Sequence, residues 1–372
     1  MNPAATTSPA ANVASSPAPR VHRLHVIEIA RGVASLWVLL FHSLTSWPAE
    51  ALHPFLAAVQ KLTQPGWLGV HMFFAISGWC IAERLAAAQR RDESCGAFLR
   101  ERALRIYPLY WIAFALLLVS RMAAYPFNSH TSFAQNLPAD AGVWIADLLL
   151  IHPYVNAPAT LMVSWSLVYE LGFYALGAGA LLLRRRGVSA TVIFALGLLL
   201  CAWPLTQLHF RATHILGLWP DFFAGVLVWW CAREAGKART LIGIGALLAL
   251  TALTLAWEPY GGTGRLAALA TAALLWIASR RDFVPTSGLA RSLTWLGLIS
   301  YSLYLVHVIV LSPFMNLGQR LVSPQSFAFV FVWAGGVAAS IVGSWLVHRY
   351  AEAPIERWRK RRWSPRARAI AP

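Results

Sequence analysis

The residues best able to do chemistry lie inside long apolar runs, where charged groups are rare. The first run, 26–46, contains Glu28, Arg31, Ser35 and His42. On an α-helix these side chains fall within about 60° of one another and form one polar stripe. Such a stripe is either a seam of hydrogen bonds inside a helix bundle or a functional surface. A neutral imidazole such as that of His42 can act as a general base near pH 7.

Three later runs also carry ionisable residues, namely His71, Glu170 and His307. Counting from the ends of the runs, these residues and His42 share a depth between the membrane midplane and the outer face. A zinc site is a competing explanation for such a group. No two of the four lie at positions i and i+4 of one helix, as zinc ligands on a helix often do, so no metal is expected.

Two arginines, Arg102 and Arg105, stand at the start of a further apolar run. Their spacing puts them on the same face of a helix. They could simply anchor the helix at the cytoplasmic surface. A pair of guanidinium groups at a helix start also suits a phosphate-rich ligand from the cytosol, because each group can bind a phosphate through two parallel hydrogen bonds.

The elements that hold these residues follow from composition. The chain has 372 residues, of which 58% are hydrophobic and 12% are charged, about half the charged fraction of a soluble domain. This excludes a soluble enzyme, a disordered protein and a coiled coil. The sequence predicts an all-α integral membrane protein, a bundle of about ten transmembrane helices. The predicted spans are 26–46, 67–87, 103–121, 162–183, 188–205, 216–232, 240–257, 265–280, 292–312 and 327–348.

The basic residues orient this bundle. The chain has 31 Lys and Arg against 15 Asp and Glu, for a net charge of +16. Most of these cations fall in alternate connections between the runs, which the positive-inside rule assigns to the cytoplasm. Both termini are therefore predicted to be cytoplasmic.

Three domain segments are expected. Residues 1–22 are predicted to be a disordered tail, 23–355 the transmembrane domain and 356–372 a basic cytoplasmic tail. The tail is expected to contact anionic lipid, and nucleic-acid binding is not expected. The longest outer connection, 122–161, is expected to be functional or disordered, and its apolar piece 144–151 to be interfacial or re-entrant. The four cysteines have no metal-binding spacing and are expected to be packing residues.

Five segments of the chain resemble one known family when they are taken in order. They are IEIARGVA followed by FH at 41–42, GWLGVHMFFAISG at 66–78, FLRERALRIYP at 98–108, SWSLVYE at 164–170 and SYSLYLVH at 300–307. On these motifs the chain resembles the membrane-bound acyltransferase 3 family, over roughly residues 22–355. Two positions depart from the family pattern. Glu28 replaces an Asp, and His71 stands where the family usually has Asp, which leaves the role of position 71 open.

The resemblance implies a bacterial inner-membrane O-acyltransferase. Its donor would be acyl-CoA from the cytosol, with acetyl as the expected acyl group, and its acceptor a hydroxyl of a cell-surface carbohydrate or glycolipid. His42 would deprotonate the acceptor hydroxyl or accept the acyl group transiently. Arg102 and Arg105 would hold the CoA phosphates.

The resemblance also implies roles for the remaining candidates. Glu170 or Glu28 would orient the imidazole of His42 or offset its charge, and Arg31 would belong to the catalytic group. The substrate-binding candidates are His71, Tyr301, Tyr304 and His307. Two alternatives remain open. Ten helices with internal charges also suit a transporter or flippase of a lipid-linked or polar solute, and the same residues could belong to a membrane scaffold or sensor without catalysis.

Overall fold

The computed structural model describes residues 25–124, 137–203, 211–233, 236–257, 262–280 and 284–363. Within these ranges the α-helices, in chain order, are α1 (His25–Leu44), α2 (Pro54–Thr63), α3 (Leu68–Arg90), α4 (Cys95–Ala124), α5 (Ala141–Leu149), α6 (His152–Val155), α7 (Trp165–Arg185), α8 (Ala190–Leu200), α9 (Trp219–Arg233), α10 (Lys237–Trp257), α11 (Gly262–Ser279), α12 (Gly288–Leu298), α13 (Ser300–Leu321), α14 (Phe329–Val347) and α15 (Ala353–Trp363).

The protein is an all-helical integral membrane protein. In the described ranges, 9 helical segments are long and apolar enough to cross a membrane, and each overlaps one of the predicted runs. The remaining run, 188–205, contains α8, which has 11 residues and is shorter than the roughly 20 residues that a full crossing needs.

The directions of the helices show what α8 contributes. Helices α3 and α9 are parallel, because His71 Nδ1 lies 2.5 Å from Asp221 Oδ2 near their starts and Trp229 Nε1 donates to Glu83 Oε2 at 2.8 Å further along both helices. Helix α7 also runs in this direction. Phe74 of α3 contacts the rings of Tyr169 and Phe173, and further along both helices a Cβ atom on Gly177 would lie 3.3 Å from Leu85. The chain must therefore return between the end of α7 and the start of α9, and α8 lies on that return.

One predicted span, 292–312, is two helices instead of one. Helices α12 and α13 are separated at Ile299. Helix α12 packs antiparallel against the first turns of α1, at a distance that only glycine allows. A Cβ atom on Gly297 would lie 1.9 Å from the carbonyl oxygen of Glu28, and one on Gly32 would lie 2.0 Å from that of Leu293. Helix α13 then turns back and packs against α1, α4 and α14.

One end of the bundle, which we call the basic end, is where α3 ends, α4 begins and α15 lies. Arg105 Nη1 of α4 donates to Glu356 of α15 at 2.7 Å. The start of α1 lies toward the same end, because Arg31 contacts Ser300 at the start of α13. Residue Glu352, just after α14, lies there as well, because it accepts a hydrogen bond from Ser302 at 2.7 Å.

The predicted outer connection is partly described. Helix α5 covers most of the apolar piece 144–151 and packs beside α4. The Tyr110 hydroxyl donates to the Asp147 carbonyl at 2.8 Å, and Trp111 Nε1 donates to the Leu148 carbonyl at 3.0 Å. The second bond supplies a donor to a carbonyl group in the last turn of α5, where carbonyl groups lack the full set of helical partners. Residues 125–136, the predicted tail 1–22 and residues 364–372 lie outside the described ranges.

Candidate active site

A cavity of about 240 Å³ lies between α1, α3, α4, α7 and α13. Its apolar wall is formed mainly by α3 and includes Phe73 and Phe74. Its polar lining comes from residues that are far apart in the sequence. These are Arg31, Ser77, Arg102, Arg105, Ser166, Glu170, Tyr174, Ser300, Tyr301 and Tyr304. Six of the candidate residues predicted from the sequence, Arg31, Arg102, Arg105, Glu170, Tyr301 and Tyr304, therefore line one cavity.

Arg31 is a cation without a counter-charge in this wall. Its Nε atom donates to Ser300 Oγ at 3.1 Å, and it forms no ion pair with a carboxylate in the described ranges. Glu28 does not line the cavity. Its Oε2 atom is buried and has no hydrogen-bond partner among the described residues, so the two residues do not form the local pair that their spacing allows.

Glu170 lies on the wall that α7 contributes. It accepts a hydrogen bond from the hydroxyl of Tyr174, one turn further along the helix. The guanidinium group of Arg102 lies over the ring of Tyr174, 5.8 Å from its centre. A carboxylate, a phenol and a guanidinium are thereby held together at the part of the cavity nearest the basic end.

Tyr301 and Tyr304 are fixed by hydrogen bonds to the backbone of neighbouring helices. The Tyr301 hydroxyl donates to the Ile106 carbonyl of α4 at 2.9 Å. The Tyr304 hydroxyl donates to the Val163 carbonyl at 3.0 Å and shares a 2.7 Å hydrogen bond with Ser166 Oγ. Both rings therefore have a fixed orientation at the cavity wall.

His42 and His307 lie next to each other, further from the basic end than Arg31 and Ser300. Their ring centres are 5.2 Å apart, and the ring of Tyr304 lies 6.3 Å from that of His307. His307 is 1% exposed. Its Nδ1 atom lies 2.9 Å from the Leu303 carbonyl, and because a carbonyl can only accept, the proton of a neutral ring is on Nδ1. The Nε2 atom, buried without a partner in the described ranges, then carries a lone pair.

His71 is in a different place, although none of the three histidines lines the cavity itself. Its Nδ1 atom lies 2.5 Å from Asp221, which is fully buried and also accepts from Arg265 Nε at 3.4 Å. The four residues expected to share one layer therefore do not contact one another as a group, because the structure pairs only the two histidines of α1 and α13.

The carboxylates expected to orient His42 are also elsewhere. Glu170 bonds to Tyr174, and the backbone of Glu28 lies at the contact between α1 and α12. The rings beside His42 are those of Phe41 and His307. Within the described ranges no group of three or more His, Cys, Asp or Glu side chains is arranged to hold a metal ion.

The sequence analysis missed several partners in these sites. Ser166, Tyr174 and Ser300 lie beside predicted residues, but serine and tyrosine are too common in apolar helices to stand out. Asp221 gave a clearer signal, because it is the only charged residue in the run 216–232 and a lone charge in a membrane span is a candidate for function or for pairing.

Comparison with known proteins identifies the family. The family model described as an acyltransferase domain, Acyl_transf_3, matches residues 24–349. An exopolysaccharide production protein, ExoZ of Rhizobium meliloti, is 26% identical over 305 residues, which are 74% of this chain and 87% of ExoZ. A peptidoglycan O-acetyltransferase, OatA of Listeria monocytogenes, is 23% identical over 375 aligned positions, and the match spans 89% of this chain and 55% of OatA.

No solved structure matches the chain. The family match extends from the first residue before α1 to the residues just after α14 and includes every part of the cavity wall. The chain therefore belongs to the acyltransferase domain family and is a membrane-embedded acyltransferase.

Proposed function

We propose that the protein transfers an acetyl group from acetyl-CoA to a hydroxyl of a cell-surface carbohydrate. The observation that carries this proposal is the course of the cavity. Its wall includes Arg102 and Arg105 on the basic end, then Arg31, and then Tyr304. Neither His42 nor His307 lines it, but the ring of His307 lies 6.3 Å from that of Tyr304 and 5.2 Å from that of His42. The names of ExoZ and OatA support a polysaccharide as the acceptor class.

The basic end lies in the cytoplasm in this proposal, and the membrane is the inner membrane of a bacterium. Most of the chain's arginines fall on connections at this end, as the positive-inside rule requires of a cytoplasmic surface. Acyl-CoA is made in the cytosol, so its phosphates would meet Arg102 and Arg105 first. The acceptor hydroxyl would approach His42 from the opposite end.

In the transfer step, His42 takes the proton of the acceptor hydroxyl as that oxygen attacks the thioester carbon. The new C–O bond forms, the C–S bond breaks, and the proton passes to the departing CoA sulfur. His307 lies against His42 and holds its ring in position, while Tyr304 links this pair to the cavity wall. Arg31 supplies positive charge to the donor along the cavity, and Glu170 fixes Tyr174 beside Arg102.

The test uses membranes from cells that express the protein, supplied with acetyl-CoA that is labelled in the acetyl group. The label is followed into glycan and lipid fractions. The variant His42→Ala should lower transfer at least 100-fold, as expected for the loss of a general base, while its amount in the membrane stays unchanged. The matched control is His53→Ala, since His53 caps α2 and its ring packs against Phe327, away from the pair of His42 and His307.

Wild-type activity in His42→Ala would overturn the role of His42. Absence of transfer by the wild type, with the protein present in the membrane and with succinyl- and longer acyl-CoA donors also tried, would overturn the proposed reaction. Label that enters a lipid-linked or polymeric glycan fraction only with the wild type and His53→Ala would name the class of acceptor.

A further inference from the structure

Four arginines from three helices meet at the basic end of the bundle. We call them the arginine cluster; they are Arg84 of α3, Arg102 and Arg105 of α4, and Arg359 of α15. Their carboxylate partners are Glu93, Glu101 and Glu356. The cations exceed the anions, and two of the cluster, Arg102 and Arg105, also line the cavity.

Arg359 lies between the two arginines of α4, although it does not line the cavity. It is 7% exposed. Its Nη1 atom donates to Glu101 Oε1 at 2.8 Å, the oxygen that Arg102 contacts at 2.5 Å. Its Nη2 atom donates to Glu356 Oε1 at 3.2 Å, the oxygen that Arg105 contacts at 2.7 Å. One carboxylate oxygen therefore joins Arg359 to each of the other two.

Three buried hydrogen-bond donors of the arginine cluster lack an acceptor among the described residues. Arg84 Nη1, Arg102 Nε and Arg359 Nε are buried and have no hydrogen-bond partner in the described ranges. A buried charged donor without an acceptor is costly, and three in one cluster call for an explanation. An anion with several acceptor oxygens would supply it, and the planar guanidinium group matches phosphate best.

Glu356 already occupies the position of such an anion. Its Oε1 atom accepts from Arg105 and Arg359, and its Oε2 atom lies 3.2 Å from Lys360. The side chain is 26% exposed and that of Lys360 is 71% exposed, so this carboxylate can turn outward with Lys360. Its place beside Arg359 and beside Arg105, which lines the cavity, would then be free for another anion.

We propose that Arg359 is a third phosphate-binding residue beside Arg102 and Arg105, and that a phosphate of the donor takes the place of the Glu356 carboxylate. The inference rests on the proposed function, because the phosphate belongs to acyl-CoA. It adds α15 to the donor site, although α15 lies beyond the residues that the family model matches. Glu356 then holds the arginines in place until the donor arrives.

The experiment measures the binding of CoA to the full-length protein in uncharged detergent micelles by calorimetry. Arg359→Gln should weaken binding about 10-fold or more, the expected result of losing charge-assisted hydrogen bonds. The matched control is Arg362→Gln, which removes the same charge from an exposed position of the same helix and should bind as the wild type does. Equal CoA affinity of Arg359→Gln and the wild type would overturn the inference.

A second variant keeps the test decisive if Arg359→Gln is unstable. Glu356→Gln removes the internal anion and should tighten CoA binding, because the phosphate no longer competes with a charge. If Arg359 and Glu356 only fasten α15 to the bundle, both variants should lower the thermal midpoint and leave the CoA affinity of the folded protein unchanged. That result would contradict the proposal.

The source of the phosphate is tested in nanodiscs of phosphatidylcholine with and without phosphatidylglycerol. Loss of stabilisation by phosphatidylglycerol in Arg359→Gln, with unchanged CoA affinity, would assign the site to lipid and overturn the proposal. The binding of inorganic pyrophosphate distinguishes a failure of the Arg359 proposal from a failure of the proposed function. Wild-type protein that binds pyrophosphate through Arg359 but does not bind CoA would retain the phosphate site and overturn acyl-CoA as the donor.

Discussion

Two groups of charges lie inside this membrane protein, and they are partnered in opposite ways. Near the start of α3, the buried Asp221 accepts hydrogen bonds from His71 and Arg265, and the three side chains form what we call the paired cluster. In the cavity, Arg31 has a serine as its hydrogen-bond partner and no carboxylate within the described ranges. The two sites lie in the same bundle, on neighbouring helices.

The difference separates structural charges from charges that serve a ligand. A charge buried in a low-dielectric interior is costly unless it is matched, so the paired cluster stabilises the packing of α3, α9 and α11 only as a complete set. It is also closed, because a Cβ atom on Gly264 would lie 2.4 Å from the ring of His71. Arg31 faces an open cavity, where water or the acyl donor can supply the acceptor atoms that the described residues do not.

The largest effect should come from breaking the paired cluster. Asp221→Asn leaves a buried arginine without its counter-charge and should lower the stability of the fold by about 3–5 kcal/mol. Thermal unfolding of the protein in micelles measures it. The control is Asp92→Asn, since Asp92 forms an exposed pair with Arg185 and should show no measurable change. Equal thermal midpoints for Asp221→Asn and the control would contradict the distinction between structural charges and charges that serve a ligand.

The second-largest expected effect is a loss of acyl-transfer activity without a loss of stability. Arg31→Gln removes a cation that no carboxylate of the described residues neutralises, so the thermal midpoint should stay near that of the wild type. Acyl transfer should fall about 100-fold or more, as when a donor aimed at a reacting group is removed. Arg31→Lys, which keeps the charge and loses the planar fork, should recover part of the activity. A midpoint lowered as far as in Asp221→Asn would place Arg31 among the structural charges.

The smallest expected effect tests the role of Ser300, which accepts the hydrogen bond from Arg31. Ser300→Ala removes the acceptor of the Arg31 Nε bond, which is worth about 1 kcal/mol, and should reduce acyl transfer by a factor of about 5. Ser344→Ala is the matched control, because Ser344 is equally buried and its Oγ donates to the Ser340 carbonyl of its own helix. A loss of activity in Ser344→Ala equal to that in Ser300→Ala would argue against a specific role for the Arg31 contact.

Much of the fold could be predicted because membrane helices are set by local rules. Length, apolarity and the spacing of charges predicted most of the spans within a few residues. The parallel course of α7 and α9 requires the chain to return between them, where the run 188–205 lies. The split at Ile299 could not be predicted, because both pieces are apolar. Only the close contact of Gly297 with Glu28 shows that α12 and α13 run in different directions.

The site was predicted unevenly for a related reason. A helical stripe predicts which side chains of one helix face the same way, so the sequence placed Arg31 and His42 on one face of α1. It does not predict which helix lies opposite. Depth alone therefore grouped His71 with His42, whereas packing put His71 on Asp221 and His42 on His307.

The sequence by itself determined that this chain is a helical membrane protein of an acyltransferase family, because composition and five short motifs are local properties of the chain. Only the tertiary structure decided which charges are matched and which face the cavity. Asp221 and Arg265 are 44 positions apart, and Arg359 and Glu101 are 258 apart. The neutralisation of a buried charge depends on neighbours at this sequence distance, and helix packing brings them together.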